Sequence, residues 1–470
     1  MVLAVTVVST LPETSRAQDA KPAASMKGST PAAKPTIDLP KVAFTQLVLP
    51  NGLKVILHED HSSPIVALDV WYHVGSKNDV PGKSGLAHMF KHMMDEGSLR
   101  MPTGEYRRIV QEAGGTYNAR TNNDWTHYYA TVPSNQFETM LWLESERMGY
   151  FLSPALDSTK FNLEREAVRN EYRQNVLGFA VGRALEAMYG AAFANSTYSL
   201  PLFGHPSELG SATVDDLRAF YRKFYVPNNA VLVVAGDFRT ADARQQVRRY
   251  FGAIPRGAAV KQPTAVAPLE RESRIVMEDP GSQKQLWIGW RGVPSAHPDR
   301  VAMMALSGVL NARLSRLLIT DRRLASFMNP GLNAHSDFEA SGLFQTVVVA
   351  TGSMTEVERL IDSVVASVQT EGVAPTELRR WVAAFRTTSL IGMQSVAVKA
   401  QNFGDAMTMQ ANPLGIFGEV ERAQKLTPDD LRRVARKYLV PQRIVMSVVP
   451  AGKLDQISKP SEPFTNVTRK

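Results

Sequence analysis

His88 and His92 stand four residues apart in SGLAHMFKHMMDE (84–96). Nothing after Gly85 breaks a helix, Ser84 is placed to cap it, and Leu86, Phe90, Met93 and Met94 supply an apolar side. Helical positions four apart share a face, so both imidazoles point the same way. Two neutral ring nitrogens on one face suit zinc, a borderline-soft cation. Alone, such a pair is more often a surface pair than a metal site, and a third ligand separates the two readings. FNLEREAVRNEYRQ (161–174) is a second helical stretch, with Glu164 and Glu171 seven residues apart on one face. A carboxylate from it would complete a site of two histidines and one carboxylate, with a fourth position open to water.

Taken together, H-x-x-x-H after SGLAH and E-R-x-x-V-x-x-E about eighty residues on resemble the pitrilysin/insulysin family of zinc peptidases, and within it the bacterial two-domain chains similar to mitochondrial processing peptidase. That family's signature is the inverted motif H-x-x-E-H. The resemblance implies one zinc per chain held by His88, His92 and Glu171, with Glu164 as a second carboxylate that orients a ligand. It also implies that the general base directly precedes the second histidine, where this chain has Lys91. In a working site the metal polarises the scissile carbonyl and lowers the pKa of water to about 7, and the neighbouring carboxylate takes the proton. A protonated lysine has no lone pair for that task, and its stem places the nitrogen elsewhere.

The elements that must position these residues read as follows. QLVLPNGLKVILHED makes a hairpin about Pro50-Asn51-Gly52, and Ile65 to Val74 is a strongly β-prone run leading to the histidine helix. A helix near 103–113 stops at Gly114-Gly115, and 116–132 follows as strand, turn and strand. The resemblance makes Asn118 and Ala119 part of a sheet edge on which a peptide substrate lies as an added strand; an ordinary hairpin beneath the site is the plainer reading. Residues 134–149 and 158–190 read as helices, and 195–217 is a loop-rich passage in which His205 lacks the pattern of a ligand.

The chain repeats itself. TVDDLRAFYRKFYVPNNAVLVVAGDF (213–238) and TPDDLRRVARKYLVPQRIVMSVVPAG (427–452) align without gaps at an offset of 214 residues. Each copy is a capped helix, a proline turn and a β-branched strand. The expected fold is therefore α+β: two homologous α/β-sandwich domains, antiparallel-rich sheets packed with helices, at 41–251 and 274–455, joined by an extended linker at 252–273 and followed by a tail at 456–470. The resemblance makes this half of a clamshell. The second domain carries no metal motif; its helix near 301–313 offers Met303, Met304 and Leu306 as core residues. Self-sufficient relatives supply from this domain an arginine and, seven residues on, a tyrosine that hold substrate. Here Arg322 and Arg323 are followed only by Phe327, as in the zinc-bearing halves of two-chain members.

Bulk properties narrow the partners. The 470 residues contain no cysteine, so no disulfide forms and a metal must be held by histidine and carboxylate. The net charge of +8 is spread along the chain without dense basic-aromatic runs, which argues against nucleic acid. VLAVTVVSTL (2–11) is too short to span a bilayer, which takes about twenty residues. It precedes Ser15-Arg16-Ala17, a small-x-small cleavage pattern. A signal peptide at 1–17, a disordered Ala/Pro/Lys-rich lead at 18–40, and a periplasmic or secreted bacterial protein are expected, with no membrane span elsewhere. Three functional readings follow. The first is a zinc-binding peptidase-family chain, catalytically impaired at Lys91, acting on extended peptide or unfolded protein with a homologous partner or a second copy. The others are an active zinc endopeptidase and a non-catalytic peptide-binding or assembly subunit.

Overall fold

A computed structural model describes residues 42–94, 96–151, 157–262, 266–328 and 335–468. The signal peptide and lead expected at 1–17 and 18–40 lie outside them. Among these residues the strands are β1 Thr45–Val48, β2 Lys54–Glu59, β3 Ile65–Tyr72, β4 Thr116–Thr121, β5 Thr126–Pro133, β6 Ala230–Gly236, β7 Ser273–Asp279, β8 Lys284–Gly292, β9 Ala325–Met328, β10 His335–Asp337, β11 Gly342–Ala350, β12 Arg443–Pro450 and β13 Thr465–Asn466. The helices are α1 Leu86–Met93, α2 Glu105–Glu112, α3 Phe137–Tyr150, α4 Ser158–Tyr172, α5 Ala180–Ala192, α6 Pro206–Ser211, α7 Val214–Phe224, α8 Thr240–Phe251, α9 Arg300–Ser315, α10 Met354–Thr370, α11 Pro375–Gly392, α12 Val396–Gln410, α13 Gly415–Lys425 and α14 Pro428–Tyr438.

The α+β class holds, with two mixed sheets. The first has the order β1-β2-β6-β3-β5-β4, the second β10-β11-β8-β12-β7-β13 with β9 beside β11. The repeated segment builds α7–β6 in one half and α14–β12 in the other. Both helices open on the same capping box, Thr213 with Asp216 and Thr427 with Asp430. The strand β6 is buried along its whole length and pairs parallel to β2 and antiparallel to β3.

Central strands this apolar are covered on both faces. Val66, Leu68, Val70 and Tyr72 of β3 face a core with Phe90, Tyr128 and Tyr225. On the reverse face Ala67 and Trp71 meet Val396, Ala400 and Phe403 of α12, a helix from the second half. Gly404 permits this contact, because a Cβ there would lie 2.1 Å from Trp71 Nε1. The second half receives a helix in return: Ala184 and Met188 of α5 pack on Ile444, Met446 and Trp287. This exchange draws both sheets into one compact unit from Val42 onward.

Two helix expectations are corrected. The stretch 158–190 is not one helix. It passes from α4 through a π-helical turn, Arg173–Leu177, to Gly178, and restarts as α5 after an extended Phe179. The wider π turn, closed by Gly178 N–H on the Arg173 carbonyl at 2.8 Å, lets α5 leave α4 and reach the second sheet. Downstream of the N-terminus, the helical run Arg300–Asp321 does have the length and composition of a membrane span. Half of its apolar window is buried, and Met303, Leu306 and Leu310 sit in the second core; Met304 is half-buried.

Candidate metal centre

The first site element is α1. Its cap is Gly85, in the left-handed region at φ +94°, and not Ser84. Ser84 is occupied elsewhere: its Oγ accepts from His205 N–H at 2.8 Å and its own N–H donates to Glu208 at 3.0 Å. The open N–H groups at the helix start go to Asp79, whose carboxylate accepts from Gly85 at 2.7 Å and Ala87 at 2.9 Å. Burial pushes the Asp79 carboxyl up to about 7, against the pull of those backbone bonds. Gly85 and Gly204 press backbone to backbone; a Cβ on Gly204 would lie 2.4 Å from Ser84 O and 2.5 Å from Gly85 Cα. This contact sets the neighbouring Phe203 ring 4.7 Å from the His88 ring. The opposite side of α1 is anchored by Phe90, whose ring centroid lies 4.0 Å from that of Tyr225.

The second element is α4, which packs on α1 and is capped by Asp157. Its Glu171 brings Oε2 to 2.9 Å from His88 Nε2 and Oε1 to 3.4 Å from His92 Nε2, and the two Nε2 atoms are 3.3 Å apart. Two turns earlier Glu164 Oε2 lies 3.3 Å from His92 Nδ1. A four-coordinate zinc about 2.0–2.1 Å from each ligand sets those ligands about 3.3 Å apart. The Nε2–Nε2 separation matches that edge, and one atom from each of the three residues lies within 4.8 Å of the other two, although the two glutamate contacts use different carboxylate oxygens. Two imidazole nitrogens and a carboxylate oxygen are ligand types that zinc takes, so the donor set fits zinc. Among the described residues this is the one cluster of three such groups.

Electrostatics act differently on the three ligands, favouring neutral His88 and ionised Glu171 but the protonated form of His92, whose proton a bound cation would displace. Burial lowers His88 to about 4, and the Lys91 charge acts in the same sense, so this ring is neutral at pH 7. Burial also lowers His92, but the Glu164 and Glu171 carboxylates outweigh it and the net shift is upward. Burial alone would raise Glu171; hydrogen bonds with both histidines hold it well below the usual carboxylate range. The half-buried Lys91 places positive charge beside all three.

The spacing argument thus located both histidines and both glutamates, and the structure brings these four together. Asn118 and Ala119 lie on β4, which among the described residues pairs only with β5 and so is a sheet edge. The Ala119 N–H donates to the Asn118 side-chain oxygen at 2.8 Å. His205 takes no part: its Nδ1 meets Ser207 Oγ at 2.8 Å. Phe327 is 52% exposed on β9 and has no hydroxyl to offer. Asp79, Phe203 and Gly204 were missed. Only the glycine leaves a trace in the sequence, because Asp79 and Phe203 act through contacts that spacing does not encode.

A cluster of two imidazoles and a carboxylate on paired helices of a duplicated α+β scaffold is the architecture of a zinc-peptidase chain. Residues 54–205 match the family described as insulinase (peptidase family M16), and residues 211–385 match the peptidase M16 inactive domain. The chain belongs to peptidase family M16. It is 28% identical, over 297 residues, to a Helicobacter pylori protein named zinc protease PqqE, covering 61% of this chain and 66% of that one. It is 22% identical, over 419 residues, to an Arabidopsis thaliana protein named probable mitochondrial-processing peptidase subunit beta, covering 85% and 77%. In fold it is similar to the crystal structure of a protease from Helicobacter pylori, with a TM-score of 0.80 and 23% identity over 87% of this chain and 99% of that one.

Proposed function

We propose that this chain is a zinc-binding M16 subunit that engages extended peptides but hydrolyses them weakly or not at all by itself. The observation that carries the reading is the convergence of His88, His92 and Glu171 within 4.8 Å of one another, with Lys91 in the turn between the histidines. These three residues would hold one zinc, and Glu164 would hold His92 by its far nitrogen so that Nε2 faces the metal. Bound zinc supplies Lewis acidity toward a peptide carbonyl. The chain's own residues bind and orient: β4 offers its edge to an added strand near Asn118 and Ala119. Proton removal is the missing part, since an ammonium at position 91 accepts nothing.

A homologous partner or a second copy would complete the site. The second half has no tyrosine seven residues after Arg322 or Arg323, and one relative is named as a subunit. The apolar run at 2–11 and the Ser15-Arg16-Ala17 pattern support a periplasmic or secreted location. The test is turnover of a quenched peptide by the zinc-loaded chain, alone and mixed with a homologous chain encoded nearby. Little turnover alone, with peptide binding retained, is expected; rapid turnover by the single chain would overturn the impairment. Binding without turnover in every mixture would assign the protein to peptide capture.

A further inference from the structure

His88, His92 and Glu171 all lie in the first half, and the second half meets the segments that lead to them through a turn, Phe338–Ser341, just ahead of β11. The Phe338 ring stacks on Tyr198 at 4.9 Å and meets Phe193 at 5.4 Å and Tyr189 at 5.6 Å. Beside it the Glu339 carboxylate accepts from Lys77 Nζ at 2.5 Å and pairs with His73 Nε2 at 2.9 Å. The Lys77 side chain is fully buried, and its ammonium also donates to Asp124 Oδ1 at 2.8 Å. The Tyr198 hydroxyl donates to that oxygen at 2.6 Å and accepts from Ala340 N–H at 3.3 Å. The Glu339 N–H reaches Asp124 Oδ2 at 3.3 Å. A desolvated ammonium is tolerated only among such counter-charges.

Three segments meet at this joint, and each leads to the site. Lys77 is two residues ahead of Asp79, which holds the start of α1. Asp124 lies in the turn between β4 and β5, and Ser76 and Lys77 donate their N–H groups to the Asn122 and Asn123 carbonyls at 3.0 Å. Tyr198 opens the loop that seats Phe203 against His88 and Gly204 against Gly85. We propose that Glu339 is a positioning residue through which the second half fixes both the metal helix and the β4 edge strand. This rests on the metal-site reading above. Glu339 supplies no ligand; it holds Lys77, and Lys77 and Tyr198 together hold Asp124.

The test compares Glu339→Ala and Glu339→Gln in the full chain, well below the melting temperature. Zinc affinity is read by competition with a chromophoric chelator, and amide hydrogen exchange is followed over 116–126 and 197–205. The alanine variant should bind zinc about threefold to tenfold more weakly, less than the 10–100-fold typical of a group bonded directly to a ligand. It should also exchange faster in both segments. Glutamine, which still accepts from Lys77, should return both readouts most of the way. Should the alanine variant fail to fold, Glu339→Asp keeps the charge with a shorter reach and should show the same local acceleration. A lower melting temperature with unchanged zinc affinity and unchanged local exchange would overturn the proposal. If the wild-type chain binds no zinc, the metal-site reading falls by itself, and exchange alone decides whether Glu339 is the anchor.

Discussion

Replacing Asp79 with asparagine tests how the histidine helix is held. The carboxyl is raised by burial from an ordinary 3.8 to about 7. At about 1.4 kcal/mol per unit, that shift corresponds to about 4 kcal/mol across the window. The folded state keeps a proton that the unfolded chain has already lost. Asp79 therefore contributes its full stability below the unfolded value, and loses it as pH rises to about 7. Asp79→Asn cannot ionise, so its stability lacks this decline. It keeps one carbonyl for the N–H groups of Gly85 and Ala87 and gives up one hydrogen bond, a loss of about 1–2 kcal/mol. The variant should be near or slightly below wild type at about pH 4.5 and more stable by roughly 2 kcal/mol at about pH 8. Urea melts of the metal-free proteins at both values give the difference, in which other titrating groups cancel. A difference that stays flat, or that favours wild type more at high pH, would refute the assignment of a buried, proton-holding cap.

Three further changes probe the site. Lys91→Glu restores a carboxylate before His92 and should raise peptide turnover about 10²–10⁴-fold in the zinc-loaded complex, while tightening zinc, as read by steady-state rates and chelator competition. Glu164→Gln removes the charged partner of His92 Nδ1 and should weaken zinc about 10–100-fold in the same competition. Gly204→Ala forces a Cβ against the Gly85 backbone at φ +73°; a loss of about 2 kcal/mol or more is expected in thermal melts, together with weaker zinc binding.

The repeat, the β-prone runs and the ligand spacing were legible because they are local or periodic. His88 and His92 share a helical face by geometry alone, and Glu164 and Glu171 do likewise. The resemblance, not the spacing, selected Glu171 over Glu164, and the structure separates them: Glu171 faces both Nε2 atoms, whereas Glu164 meets Nδ1. What sequence could not supply was tertiary. Ser84 has the residue type of a cap but is spent on His205, and Asp79 caps from seven positions ahead of the helix. The break between α4 and α5 leaves little trace in the sequence because helical residues continue through the π turn. Its cause is the second sheet, which α5 must cover.

The central claim is most directly tested by metal content and coordination. Zinc-loaded wild-type protein, freed of loose metal by dialysis, should hold one zinc per chain. X-ray absorption should show two imidazole nitrogens and carboxylate oxygen in its shell. His88→Ala with His92→Ala should abolish that zinc, and Glu171→Gln should weaken it severely. Stoichiometric zinc surviving in the double mutant, or a shell without imidazole in the wild type, would contradict the account.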